Sequence, residues 1–136
     1  MNKKKIINDL FSNYQMRKHS LVKIRWELDN LEDLVLKESK ADYRTFMETQ
    51  GGGKDSRDLL KEKKKLEYRL HLRDLLFEKL NEEQREIVLL KFERKMSPRK
   101  ICETIFISES TYYRRMKAIY EKLLTFIDQF EGLFYI

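Results

Sequence analysis

The sequence predicts an all-α protein: a long N-terminal helical hairpin of coiled-coil character followed by a C-terminal helix-turn-helix domain. Three observations carry this. Helix breakers are scarce, with one Pro and four Gly, three of the glycines adjacent at Gly51–Gly53, so the rest of the chain is free to be helical. Apolar residues recur at spacings of three and four rather than two. Charged residues make up 38% of the 136 positions against 41% apolar, a mixture typical of long helices that are paired or exposed.

The first element is read from the seam Ile7, Leu10, Tyr14, Leu21, Ile24, Leu28, Leu31 and Val35. Arg17 is its one break. A heptad-type seam sustained over about four repeats predicts one long helix from Ile7 to Val35 packed along another. The periodicity then fades, and residues 48–56 read as a flexible connection around the triple glycine, with a short helical piece at Tyr43–Met47. A second amphipathic run opens near Asp55 and continues through Leu59, Leu66, Leu70, Leu76, Phe77 and Leu80, which lets the two long helices fold back on each other. Residues 1–80 thus form a hairpin for oligomerisation or partner binding. The run Lys63–Lys65 spreads over most of a helical turn and is expected to be a solvated face.

Residues 81–136 are read as a separate domain with an apolar tail. Asn81 is a suitable N-cap, with Glu82 and Glu83 in the first turn where the helix dipole favours negative charge. Ile87, Val88, Leu89, Leu90 and Phe92 cover most of the circumference of the helix that follows, which ends near Arg94 and Lys95. Ser97 with Pro98 at the first helical position opens a short helix to Thr104. Ile105–Ile107 form a turn, and Ser108 caps a third helix. Helix, short turn, helix is the arrangement that reads DNA.

On that third helix Tyr112, Met116, Ile119 and Leu123 form one stripe, while Glu109, Ser110, Tyr113, Arg114 and Lys117 form the opposite, basic and aromatic face. Arg114 is suited to a bidentate contact with guanine. Arg99, Arg115 and Lys117 suit phosphates, Ser108 and Ser110 can cap or bond phosphate, and Tyr113 can do either. An ordinary three-helix bundle with a basic outer helix has the same spacing. The net charge of +6 fits a polyanionic partner without requiring one.

Other functions find little support. The two histidines, His19 and His71, lie far apart, there are no Cys/His pairs at metal-ligand spacing, and no Gly-rich phosphate loop follows a strand. No enzyme activity, cofactor or metal is expected. The single Cys102 suits a reducing compartment, the charged N-terminus is followed by no apolar run of signal-peptide type, and no stretch approaches a membrane span. The expected place is the cytoplasm of a bacterial host cell.

Leu80–Leu124, with Glu86-Ile-Val-Leu-Leu, Ser97-Pro-Arg-Lys-Ile-Cys and Ile107-Ser-Glu-Ser-Thr-Tyr-Tyr-Arg-Arg, resembles region 4 of sigma-70-type factors. It looks closest to phage late-gene regulators of the ArpU and RinA kind. Cys102 stands where that family's motif usually carries Ala, and Phe106 where its turn usually carries Gly, a substitution that is strained if φ is positive. The resemblance implies a transcription activator that binds double-stranded DNA through Ser108, Ser110, Thr111, Tyr113, Arg114 and Lys117 and recruits host RNA polymerase; a homo-oligomer formed through the hairpin is expected from its apolar seam. The alternatives are a DNA-packaging protein of the small-terminase kind and a protein–protein adaptor.

Overall fold

A computed structural model of the chain describes residues 2–37 and 56–134, the side chains of 32–37 excepted. The triple-glycine connection, the helical piece expected at Tyr43–Met47, the side chain of Val35, and Tyr135 and Ile136 lie outside the described residues. The described residues are all-α: α1 (Lys3–Ser12), α2 (Tyr14–Lys37), α3 (Ser56–Glu78), α4 (Glu82–Val88), a π-helical turn (Leu89–Glu93), α5 (Pro98–Ile105), α6 (Glu109–Gln129) and a closing 3-10 turn (Glu131–Phe134).

The seam is buried at Ile7, Leu10, Tyr14, Leu21, Ile24 and Leu31, and Arg17 is buried with them. The single helix expected from Ile7 to Val35 is instead two helices, beginning at Lys3 and interrupted at Asn13. There the Asn13 backbone N–H donates to the Asp9 carbonyl at 3.1 Å and its side-chain amide donates to the Asp9 carboxylate at 2.8 Å. Asn is a poor helix former that favours helix ends and turns, which suits it to the break.

The break falls close to a division between two compact units, Met1–Gln15 with Arg69–Ile136, and Met16–Tyr68. In the second unit Ile24, Leu28 and Leu31 of α2 share a small apolar cluster with Leu59 and Leu66 of α3. Lys63 of the lysine run pairs with Glu67 at 3.7 Å, and Lys64 and Lys65 are exposed.

The first unit is wider than the segment 81–136 that the sequence marks off. Ile7, Leu10 and Phe11 of α1, Leu72 and Leu76 of α3, and Leu80 just after it belong to one core with Ile87, Val88, Phe92, Ile101 and the buried stripe of α6. Phe11 stacks on Phe92 with ring centroids 5.6 Å apart. Tyr120 on α6 donates its hydroxyl hydrogen bond to Asn8 on α1, and Lys3 pairs with Asp128. The apolar tail packs into this same core, where Phe134 is fully buried.

Junctions inside the unit follow from local chemistry. Asn81 caps α4 through a reciprocal pair, accepting from the Gln84 backbone N–H at 2.8 Å while the Gln84 side chain accepts from the Asn81 N–H at 3.0 Å, a capping box. Arg85 donates to the carbonyls of Phe77 and Glu78 at 3.1 and 3.2 Å, adding to the turn bonds that close the end of α3. After the π-helical turn Lys95 takes a left-handed conformation with φ 55°, and its ammonium donates to the Ser12 carbonyl at 3.0 Å.

Candidate nucleic-acid interface

Ser97 accepts from the Lys100 N–H at 3.2 Å and Pro98 occupies the first helical position of α5, where its missing N–H costs nothing. Ile101 and Cys102 turn inward and are buried; Arg99, Lys100 and Glu103 are exposed. Small and apolar residues on the inner face let α5 pack across α6, and the two helices contact one another.

The turn between them closes on one carbonyl. The N–H groups of Phe106 and Ile107 both donate to the Cys102 oxygen, a Schellman-type helix end. This end needs a left-handed residue, and Phe106 supplies it with φ 59° and ψ 50°. The helix-closing geometry is therefore reached without glycine, by a side chain that is 92% exposed. Ile107 packs against the core.

Ser108 caps α6, accepting from the Thr111 N–H at 3.1 Å and donating to the Thr111 hydroxyl at 2.9 Å. Tyr112, Met116, Ile119 and Leu123 are all buried. On the other side Ser110, Tyr113, Arg114 and Lys117 are exposed. The Tyr113 ring meets Tyr112 edge-on at 5.1 Å, which limits its directions. Arg114 reaches the Thr111 hydroxyl at 3.5 Å.

The expected site residues thus sort into four groups. Ser110, Tyr113, Arg114 and Lys117 share the open face of α6. Ser108 and Thr111 are engaged in the cap, so their side chains hold the helix start. Arg115 is turned aside, half-buried, with its guanidinium 3.7 Å from Glu83. Arg99 lies on α5, paired with Glu103 at 3.5 Å one turn on; both are exposed, and a pair of this kind gives way to a stronger anion at little cost. Two exposed residues were not foreseen for this surface, Lys100 in the first turn of α5 and Phe106 in the turn. A basic residue two after a Pro-opened helix start, and a non-glycine two residues before a serine cap, are the signals that could have found them.

No group of three or more potential metal ligands occurs among the described residues, and among them no helix is long and apolar enough to cross a membrane. Residues 53–124 match the model of a family described as proteins of unknown function, DUF1492, and the chain belongs to that family. No curated protein and no solved structure matches it. The matched span takes in α3, α4, α5 and the first four turns of α6, with every exposed cation of the α5–α6 surface.

Proposed function

We propose that this member of DUF1492 is a sequence-specific regulator of transcription, of phage or prophage origin and of the ArpU and RinA kind, that lays α6 in the major groove of double-stranded DNA. The observation that carries the reading is the two-sidedness of α6. One face is a continuous buried stripe that fixes the helix rigidly, and the other presents Ser110, Tyr113, Arg114 and Lys117 on its first turns. A rigid helix with polar, basic and aromatic groups near its N-terminus fits the groove.

Arg114 reads a base edge, while Arg99, Lys117 and Arg115, once released from Glu83, bind phosphates. Three phosphate contacts of this kind give a salt slope of roughly −2.7 per protomer. The test is fluorescence anisotropy against the DNA upstream of the gene at several salt concentrations. Arg114→Ala should relax sequence preference by about 1–3 kcal/mol, and Arg99→Ala should weaken binding to all sequences alike and flatten the slope by about 1. No binding at low salt would overturn the reading and favour a protein–protein adaptor.

A further inference from the structure

Phe106 is a poor choice for the fold on two counts. A left-handed backbone is unfavourable for a residue with a Cβ and free for glycine, and an aromatic ring left 92% exposed buries nothing in return. Lys95, the other non-glycine residue with positive φ among those described, at least hydrogen-bonds α1 with its side chain. The fold uses the left-handed backbone but not the side chain that strains it, and such a strained, exposed side chain points to a functional position.

Its place says what it meets. Phe106 is two residues before the cap of α6, within about 7 Å of it along the chain, so it lies beside the end of α6 that the DNA-binding reading sets in the groove. The ring offers only apolar surface. The major groove offers one apolar group of methyl size, the C5-methyl of thymine.

We propose that Phe106 is a specificity residue that packs on a thymine methyl at the edge of the site read by α6. This rests on the DNA-binding reading above.

The test begins with selection of a preferred site for the full-length protein from random duplexes. Affinities are then measured on that site and on copies in which each thymine in turn is replaced by deoxyuridine, for the wild type, Phe106→Gly and Phe106→Leu. At one thymine, loss of the methyl should weaken wild-type binding about fourfold, the equivalent of one buried methyl-sized group. Phe106→Gly should bind the thymine site more weakly and be indifferent to that replacement, while Phe106→Leu keeps part of the discrimination. Phe106→Gly should also melt about 4–8 °C higher, since glycine relieves the turn, which separates lost recognition from lost folding. If a site is selected but Phe106→Gly binds it with unchanged affinity and unchanged thymine preference, the inference is overturned while the DNA-binding reading stands, and the exposed ring serves a protein partner instead. If no duplex is bound at low salt, both fall.

Discussion

Arg73 carries a charge into the core of the first unit, where it is 5% exposed. Its guanidinium lies 3.0 Å from Glu93 and 3.3 Å from Asp74, and is sandwiched 3.7 Å from the Tyr14 ring and 4.2 Å from that of Phe77. Arg73→Ala removes this packing from the core, while Glu93 and Asp74, with side chains 22% and 51% exposed, keep access to water, so it should cost about 2 kcal/mol in urea unfolding. Arg73→Lys should recover little of it, because an ammonium cannot stack flat between two rings; a loss well under 1 kcal/mol for Arg73→Ala would show that the pair is not supporting the core. Tyr112 behaves in the opposite way. Its hydroxyl is buried without a hydrogen-bond partner, and burial, with the neighbouring Tyr113, Tyr120 and Cys102 adding to it, pushes its pKa above the usual tyrosine value. Burial raises Tyr120 too, against the hydrogen bond to Asn8. Below pH ~10 these phenols are protonated in folded and unfolded chains alike and stability does not depend on them. As pH rises past that point the unfolded chain loses its protons first, so stability falls. Tyr112→Phe should therefore be neutral, or stabilising by up to about 1 kcal/mol, at pH 7, and should make the alkaline loss shallower. Guanidinium melts at pH 7 and above pH 10 measure both, and a clear destabilisation at pH 7 would mean that the hydroxyl has a partner.

At the level of elements, the first unit depends on α1 as much as on the helices that carry the candidate interface. The isolated segment Asn81–Ile136 lacks Ile7, Leu10, Phe11, Leu72, Leu76 and Leu80, six core residues that are nearly inaccessible in the full chain. That segment should show weak helicity and no cooperative thermal transition by circular dichroism, whereas the full chain melts cooperatively; a sharp two-state melt of the segment alone would contradict this. The boundary at Leu80 also shows where reading the sequence reaches its limit. Periodicity reports that Ile7, Leu10 and Leu76 face something apolar, but a buried face carries no label for its partner: the spacing points to the hairpin, whereas the three share a core with residues of α4–α6. The stripe of α6 and the caps at Asn81, Ser97 and Ser108 were legible because each depends on residues within one or two turns. Arg73 was not, since its stacking partner Tyr14 is brought to it only by the fold. Nor was the π-helical turn, because nothing in Leu89–Glu93 differs from ordinary helix formers. Phe106 lay between these cases: the residue was conspicuous, but whether the turn would keep its left-handed geometry was decided by the two N–H groups converging on the Cys102 carbonyl.

For the whole molecule, the proposed regulatory function would call for surfaces for partners besides DNA, and each unit offers a candidate. In the unit Met16–Tyr68, Val22 and Trp26 are exposed one turn apart on α2, Trp26 at 66%, so self-association is expected to use this pair and not the buried seam. The full chain should scatter light as an oligomer with blue-shifted tryptophan emission, and Val22→Glu should return it to a monomer with solvent-like emission; a wild-type monomer would exclude it. In the unit that holds α6, Lys79, Lys122, Thr125, Phe126, Gln129 and Phe130 line an open cleft of about 410 Å³. It lies at the far end of α6 from Ser110 and Arg114, roughly 20 Å away at 1.5 Å per residue, so a duplex on the first turns leaves it free. If the protein recruits RNA polymerase, this cleft with the exposed Phe130 and Leu133 is the surface expected to hold it. Phe134 and Ile127 are fully buried in the core, so deleting Gly132–Ile136 would remove a core residue along with any recruitment surface. The informative variant is Phe130→Ser with Leu133→Ser, which changes only side chains that are 47% and 42% exposed. It should keep the melting temperature within a few degrees and bind DNA with unchanged affinity, since it touches neither the buried stripe nor the basic face. In a reporter driven by the selected site it should activate several-fold less than the wild type. Full activation by the double variant would remove the cleft from recruitment and direct attention to the exposed face of α2.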